Sequence, residues 1–159
     1  VTASAQLVFT KGAGKHDRMD VRRDGVVTER IDCPKQGIVP HDMVHYAVES
    51  TLQKRGFVTR VMDGEAAAFA MAADAQSDAV ERLVEVLQAD GWSGWTGPPA
   101  GLLELYRVTC DARQCTPFEL APADIEAVRH RLLELTALWQ AVPVGMSLTL
   151  DLGSERHHP

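Results

Sequence analysis

Toward the C-terminal end of the chain the hydrophobic period switches from helical to extended within a few residues. Ile125, Val128, Leu132, Leu135, Trp139 and Val142 follow one another at steps of 3, 4, 3, 4 and 3, which lines them up on one stripe of a helix. Pro143 and Gly145 end that helix. Met146, Leu148, Leu150 and Leu152 then alternate with Ser147, Thr149 and Asp151, the pattern of a strand with one face buried. Both stripes need apolar partners, so helix and sheet must share a core. At the other end, Ala5 to Thr10 reads as a strand and Arg18 to Asp32 as a hairpin around Asp24-Gly25, a strong turn signal. Strands at both ends with helices between them predict an α+β fold: an antiparallel sheet of N-terminal hairpin strands plus the C-terminal strand, packed against several helices. Residues 1–153 are expected to form one domain and residues 154–159 a frayed tail.

Two registers compete in the hairpin. A two-residue loop pairs Val21 with Thr28. A three-residue loop with Gly25 in a left-handed bulge pairs Val21 with Val27 and gathers Met19, Val21, Val27 and Ile31 on one face. The second register buries more and is the expectation. It turns Glu29 inward, opposite Met19. Between hairpin and C-terminal helix, Pro40 opens a helix that runs to Lys54 or Arg55, with Gly56 as its stop. Phe57 to Met62 reads as a short strand and Glu65 to Ala73 as a helix or packed segment. Ser77 caps a helix reaching Ala89, with Val80, Leu83, Val84 and Leu87 at core spacing. Leu102 to Asp111 fits helix or strand.

The 159 residues carry a net charge of −6 with a pI near 5.5. Nucleic-acid binding is excluded as an expectation, because neutralising phosphates requires clustered Lys and Arg. No apolar run approaches a membrane span and no signal peptide opens the chain, so the expected compartment is the cytoplasm. Cys33, Cys110 and Cys115 are an odd number of cysteines, which argues against a disulfide framework and for reduced thiols. A phosphate loop at Lys11–Lys15 fails, since Phe9 and His16 stand where glycine and Ser or Thr are required.

The residues richest in chemistry are His41-Asp-Met-Val-His-Tyr-Ala-Val-Glu49. On a helix turning ~100° per residue, His41, His45, Glu49 and Asp42 share one quadrant, on the shoulder of the apolar face. Histidines at i and i+4 lie about 6 Å apart along the axis, so both rings can reach one divalent ion, zinc first. Glu49 lies ~12 Å along the helix from His41, so a third ligand must come from elsewhere. Glu29, from the hairpin, and Glu65 are the candidates. Such an ion supports hydrolysis of a carbonyl or phosphoryl substrate, with Asp42 or Glu49 taking the proton of the attacking water. Two non-metal readings stand beside it: histidines hydrogen-bonded to the sheet, to Glu29 or to Asp42, and a phosphate or carboxylate held at the helix N-terminus.

His41-Asp42-x-x-His45 resembles the H-E-x-x-H helix of zincin metallopeptidases. That resemblance implies zinc on both histidines, a water-activating role for Asp42, and, as in the thermolysin-like branch, a glutamate ligand twenty residues on, which is Glu65. The stretch Pro40-His41-Asp42-x-x-His45-x-x-x-Glu49 also resembles a signature of small bacterial proteins of unassigned function, which implies no activity. A different class of function, a non-catalytic interaction module binding a protein partner, would use Trp92 and Trp95 in the glycine-rich loop Gly91–Pro99.

Overall fold

The alternating residues at the two ends of the chain meet in one sheet. In the computed structural model, which describes residues 5–66 and 74–151, β1 (Ala5–Thr10), β2 (His16–Arg23), β3 (Val26–Pro34) and β4 (Ser147–Asp151) form an antiparallel sheet in the order β3-β2-β1-β4. Leu7 pairs with Val21 on one side and Leu150 on the other, and Phe9 with Met19 and Leu148. Leu7, Phe9, Met19 and Val21 are fully buried, so this face receives the helices, and the fold is α+β as the sequence predicts.

The described helices are α1 (His41–Leu52), α2 (Phe57–Met62), α3 (Ala75–Trp92), α4 (Pro99–Ala112) and α5 (Pro122–Gln140). On α5, Ile125, Val128, Leu132 and Leu135 are fully buried, each contributing roughly 1.5–3 kcal/mol of hydrophobic free energy. Trp139 meets the Phe9 ring edge-on, with centroids 6.4 Å apart. α1 packs against both α3 and α5 and buries Met43, Val44, Tyr46, Ala47 and Val48. Sheet and helices share one hydrophobic cluster. No helix among the described residues is long and apolar enough to cross a membrane.

Four local expectations need correction. Asp24 and Gly25 both adopt positive φ, 50° and 82°, so the hairpin turns through a two-residue loop with Arg23 opposite Val26. A bulge after Val21 absorbs Thr28 and sets Val21 opposite Glu29 and Met19 opposite Ile31. Glu29 therefore faces Val21, half-buried on an edge strand, and not Met19. α1 stops at Leu52 rather than at Lys54 or Arg55, because Gln53 takes the left-handed conformation and the Lys54 N–H donates to the Glu49 carbonyl. Phe57–Met62 is a helix, not a strand; its β-branched content is overridden by a tertiary acceptor described below. α3 begins at Ala75, capped by Asp74, whose carboxylate accepts from the Ser77 N–H at 2.8 Å. Leu102 to Asp111, ambiguous in period, lies within α4. Most of the expected Glu65–Ala73 segment and the tail from residue 152 on lie outside the described residues.

Candidate metal centre

α1 and α3 pack antiparallel along their polar shoulders. His41, at the start of α1, meets Gln88; His45, one turn on, meets Glu81; and Glu49, a further turn on, lies by Gly56, which touches Val80. The two helices thus place His41 and His45 of α1 opposite Gln88 and Glu81 of α3.

Both imidazoles aim Nε2 at the same carboxylate. His41 Nε2 lies 3.3 Å from Glu81 Oε1 and His45 Nε2 2.8 Å from Glu81 Oε2. The rings stand 4.8 Å apart, nearly perpendicular. Each Nδ1 is occupied from behind: that of His41 bonds Gln88 Oε1 at 2.8 Å, and that of His45 bonds Glu49 Oε2 at 2.9 Å. With Nδ1–H as the donor in both cases, each ring is fixed in the orientation that turns Nε2 toward Glu81. The ligand atoms of His41, His45 and Glu81 all lie within 4.8 Å of one another. Tetrahedral ligands about 2.0 to 2.1 Å from zinc stand roughly 3.3 Å apart, so small side-chain adjustments suffice, and the group can hold a metal ion.

Glu49 organises the deep side of this arrangement. It is 2% exposed, and its carboxylate accepts four hydrogen bonds: Oε1 from the N–H groups of Gly56 (2.9 Å) and Thr59 (2.8 Å), Oε2 from Val58 N–H (3.2 Å) and from His45. These amides are the orphan donors at the start of α2, so one buried carboxylate both nucleates α2 and holds His45. Phe57, the first residue of α2, lies edge-on to the His45 ring at 6.2 Å.

Charge in the metal-free group is balanced by proximity. Burial alone would drive His45 toward neutrality, but its bonds to Glu49 and Glu81 overcome this and push its pKa up to about 10. The Glu81 bond raises His41 as well, against desolvation and the repulsion of His45. Burial opposes ionisation of Glu81, yet the two imidazoles hold its carboxyl well below the usual carboxylate range. The Glu81 carboxylate thus favours the charged form of both imidazoles. An ion held by both Nε2 atoms would have to displace the protons they carry.

The expected residues divide clearly. His41 and His45 come together. Glu65 does not join them: it is engaged by Arg55 at 3.1 Å and by Arg60 at 3.0 Å, beyond α2. Glu29 lies on β3 opposite Val21 and is not a member of the group. Glu49, expected to take a proton from water, has both oxygens filled by buried donors. Asp42 accepts a weak bond from the Cys33 thiol at 3.8 Å, and burial pushes its pKa up against the pull of both histidines. The member absent from the sequence reading is Glu81, thirty-six residues beyond His45. Its signal lay in the shoulder of α3, where Glu81, Glu85 and Gln88 recur at i, i+4 and i+7 beside the core stripe. His41 and His45 hold the same position on α1.

The Trp92–Trp95 loop closes the neighbouring end of the helix pair. Trp92 is 56% exposed and its Nε1–H donates to the Gln36 carbonyl at 2.8 Å. Trp95, with φ of 64°, is half-buried against Gly91. Asp90 pins the loop, accepting from Gly97 N–H at 2.8 Å and pairing with Arg129 of α5 at 3.1 Å. No family model, curated protein or solved structure matches the chain.

Proposed function

We propose that this protein binds a divalent metal ion, zinc foremost, through His41 Nε2, His45 Nε2 and the Glu81 carboxylate, and uses it for hydrolysis. The observation that carries the reading is the convergence of two Nε2 atoms on one carboxylate with both Nδ1 atoms held from behind. Two histidines and one carboxylate are a donor set suited to zinc in catalytic sites, which keep a position open. The side chains of His41 and Glu81 are 37% and 33% exposed while that of His45 is 3% exposed. The open position therefore faces solvent, where a small carbonyl or phosphoryl substrate can enter. A bound ion would lower the pKa of water there and polarise the substrate. Among the carboxylates first considered, Asp42 is better suited than Glu49 to accept the proton, since Glu49 is committed to four donors.

The test has two parts. Purified protein is analysed for metal content, then assayed on an activated phosphodiester and an activated ester, with and without chelator. The reading expects near-stoichiometric metal and turnover that chelator removes and zinc restores. A loaded protein without turnover on either substrate would remove hydrolysis from the proposal. A protein that neither retains nor takes up metal would remove the whole of it. The exposure of Trp92 supports a second reading, a protein-binding surface on this loop; Trp92→Ala should then weaken capture of a partner without altering the circular dichroism spectrum, and unchanged capture would discard it.

A further inference from the structure

We propose that Cys110 and Cys115 are a thiol pair that closes to an intrachain disulfide when the protein meets a low-molecular-weight disulfide. The geometry behind it is the end of α4 and involves no residue of the candidate metal centre. Gln114 takes a left-handed conformation, with φ of 56°. The Cys115 N–H donates to the Cys110 carbonyl at 2.9 Å, and the Gln114 N–H to the Asp111 carbonyl at 3.1 Å. Together these form the paired-bond helix terminus in which the third residue from the end and the second beyond it bring their side chains into contact. Here those two residues are cysteines.

The backbone bond limits their separation. With standard bond lengths and trigonal angles at the carbonyl and amide, a 2.9 Å link from Cys115 N to Cys110 O holds the two Cα atoms roughly 6 Å apart or less. Disulfides span Cα distances of ~4.4 to 6.8 Å, so the backbone link sets a spacing a disulfide can bridge. Burial and the neighbouring Cys115 push the Cys110 thiol up to about 12, against the pull of the Arg82 guanidinium, so Cys110 is held as a thiol beside Cys115. Cys33 makes the contrast: it is buried in the sheet, with the Ile31 carbonyl and Asp42 as its bonding partners.

Accessibility orders the steps. Cys115 is half-buried and Cys110 fully buried, so Cys115 reacts first. Its thiolate attacks one sulfur of the small disulfide; the new S–S bond forms as the reagent's own breaks, and one reagent thiolate leaves and takes up a proton. Cys110 then loses its proton and attacks Cys115 Sγ, expelling the second reagent thiol. Two protein thiols lose two electrons and two protons in all, and the reagent is reduced to two thiols.

Oxidised glutathione is the probe. The full chain is incubated with it, denatured, alkylated and digested with trypsin. Cleavage after Arg113 puts Cys110 and Cys115 in different peptides, 108–113 and 114–129, which remain joined only through a disulfide. The expected result is loss of two of the three alkylatable thiols, recovery of the joined peptide, and its disappearance with dithiothreitol. Cys33→Ala should still give the joined peptide. Three alkylated thiols, a persistent glutathione adduct on Cys115, or a bond that includes Cys33 would each overturn the proposal.

Discussion

Replacing Glu49 with Gln changes one heavy atom and tests the architecture behind the candidate metal centre. The carboxylate serves four donors, two on each oxygen. The amide keeps one acceptor oxygen and substitutes an NH2 group for the other, so either the Gly56 and Thr59 amides or the Val58 amide and His45 face a donor. Each unsatisfied buried donor costs about 1–3 kcal/mol, so two cost roughly 2–6 kcal/mol, a large part of the ~5–15 kcal/mol that holds a domain folded. Loss of the partner behind His45 should also weaken metal binding by about 10- to 100-fold, equivalent to ~1.4–2.7 kcal/mol. Urea unfolding of the metal-free protein gives the first quantity, and competition with a zinc-sensitive dye the second. A Glu49→Gln protein within about 0.5 kcal/mol of the wild type, in the range of a surface substitution, would refute the four-donor account.

Further outcomes follow from the same geometry. The pKa of His45 is raised from 6.5 to about 10 on folding, so its contribution to metal-free stability is fully present below pH 6.5 and is lost as pH rises toward 10. His41 shifts in the same direction. Glu81, lowered from 4.5, contributes above that pH and loses its contribution as pH falls through its folded value. Metal affinity should move oppositely to the histidine contribution, rising with release of protons as pH climbs from 6.5 toward about 10; a pH-independent affinity would contradict the raised histidines. Gly56→Ala places a Cβ 2.7 Å from Val80 Cγ1 and 2.8 Å from Glu49 Cδ, so it should cost about 1–3 kcal/mol by overpacking and weaken zinc binding, read by thermal melting and dye competition. Glu65→Ala should leave zinc affinity unchanged, since Glu65 is engaged by Arg55 and Arg60; a large loss would restore Glu65 as a ligand.

The elements with uninterrupted periodicity were legible from residues alone. The stripe from Ile125 to Trp139 and the alternation through Leu150 are set by burial on one face, and burial is what hydrophobic pattern records. Phe57–Met62 was misread because its β-branched residues favour strands locally, whereas the deciding interaction is with Glu49, eight residues before it in sequence. The hairpin slipped because a bulge, invisible in the alternation, reconciles a two-residue Asp-Gly turn with burial of Met19 and Ile31. His41 and His45 announced themselves by spacing within one helix. Glu81 could not, since only the antiparallel packing of α1 on α3 brings it near, and a single polar residue beside a core stripe resembles any solvated shoulder.

Zinc affinity of the wild type against Glu81→Gln, by dye competition at neutral pH, tests the central claim most directly. Two imidazoles would remain in the variant, but the carboxylate on which both converge would be gone. The account predicts tight, one-to-one binding by the wild type and a loss in the variant exceeding the roughly 100-fold that removal of an outer partner costs. Equal affinities, or no zinc uptake by either protein, would contradict it.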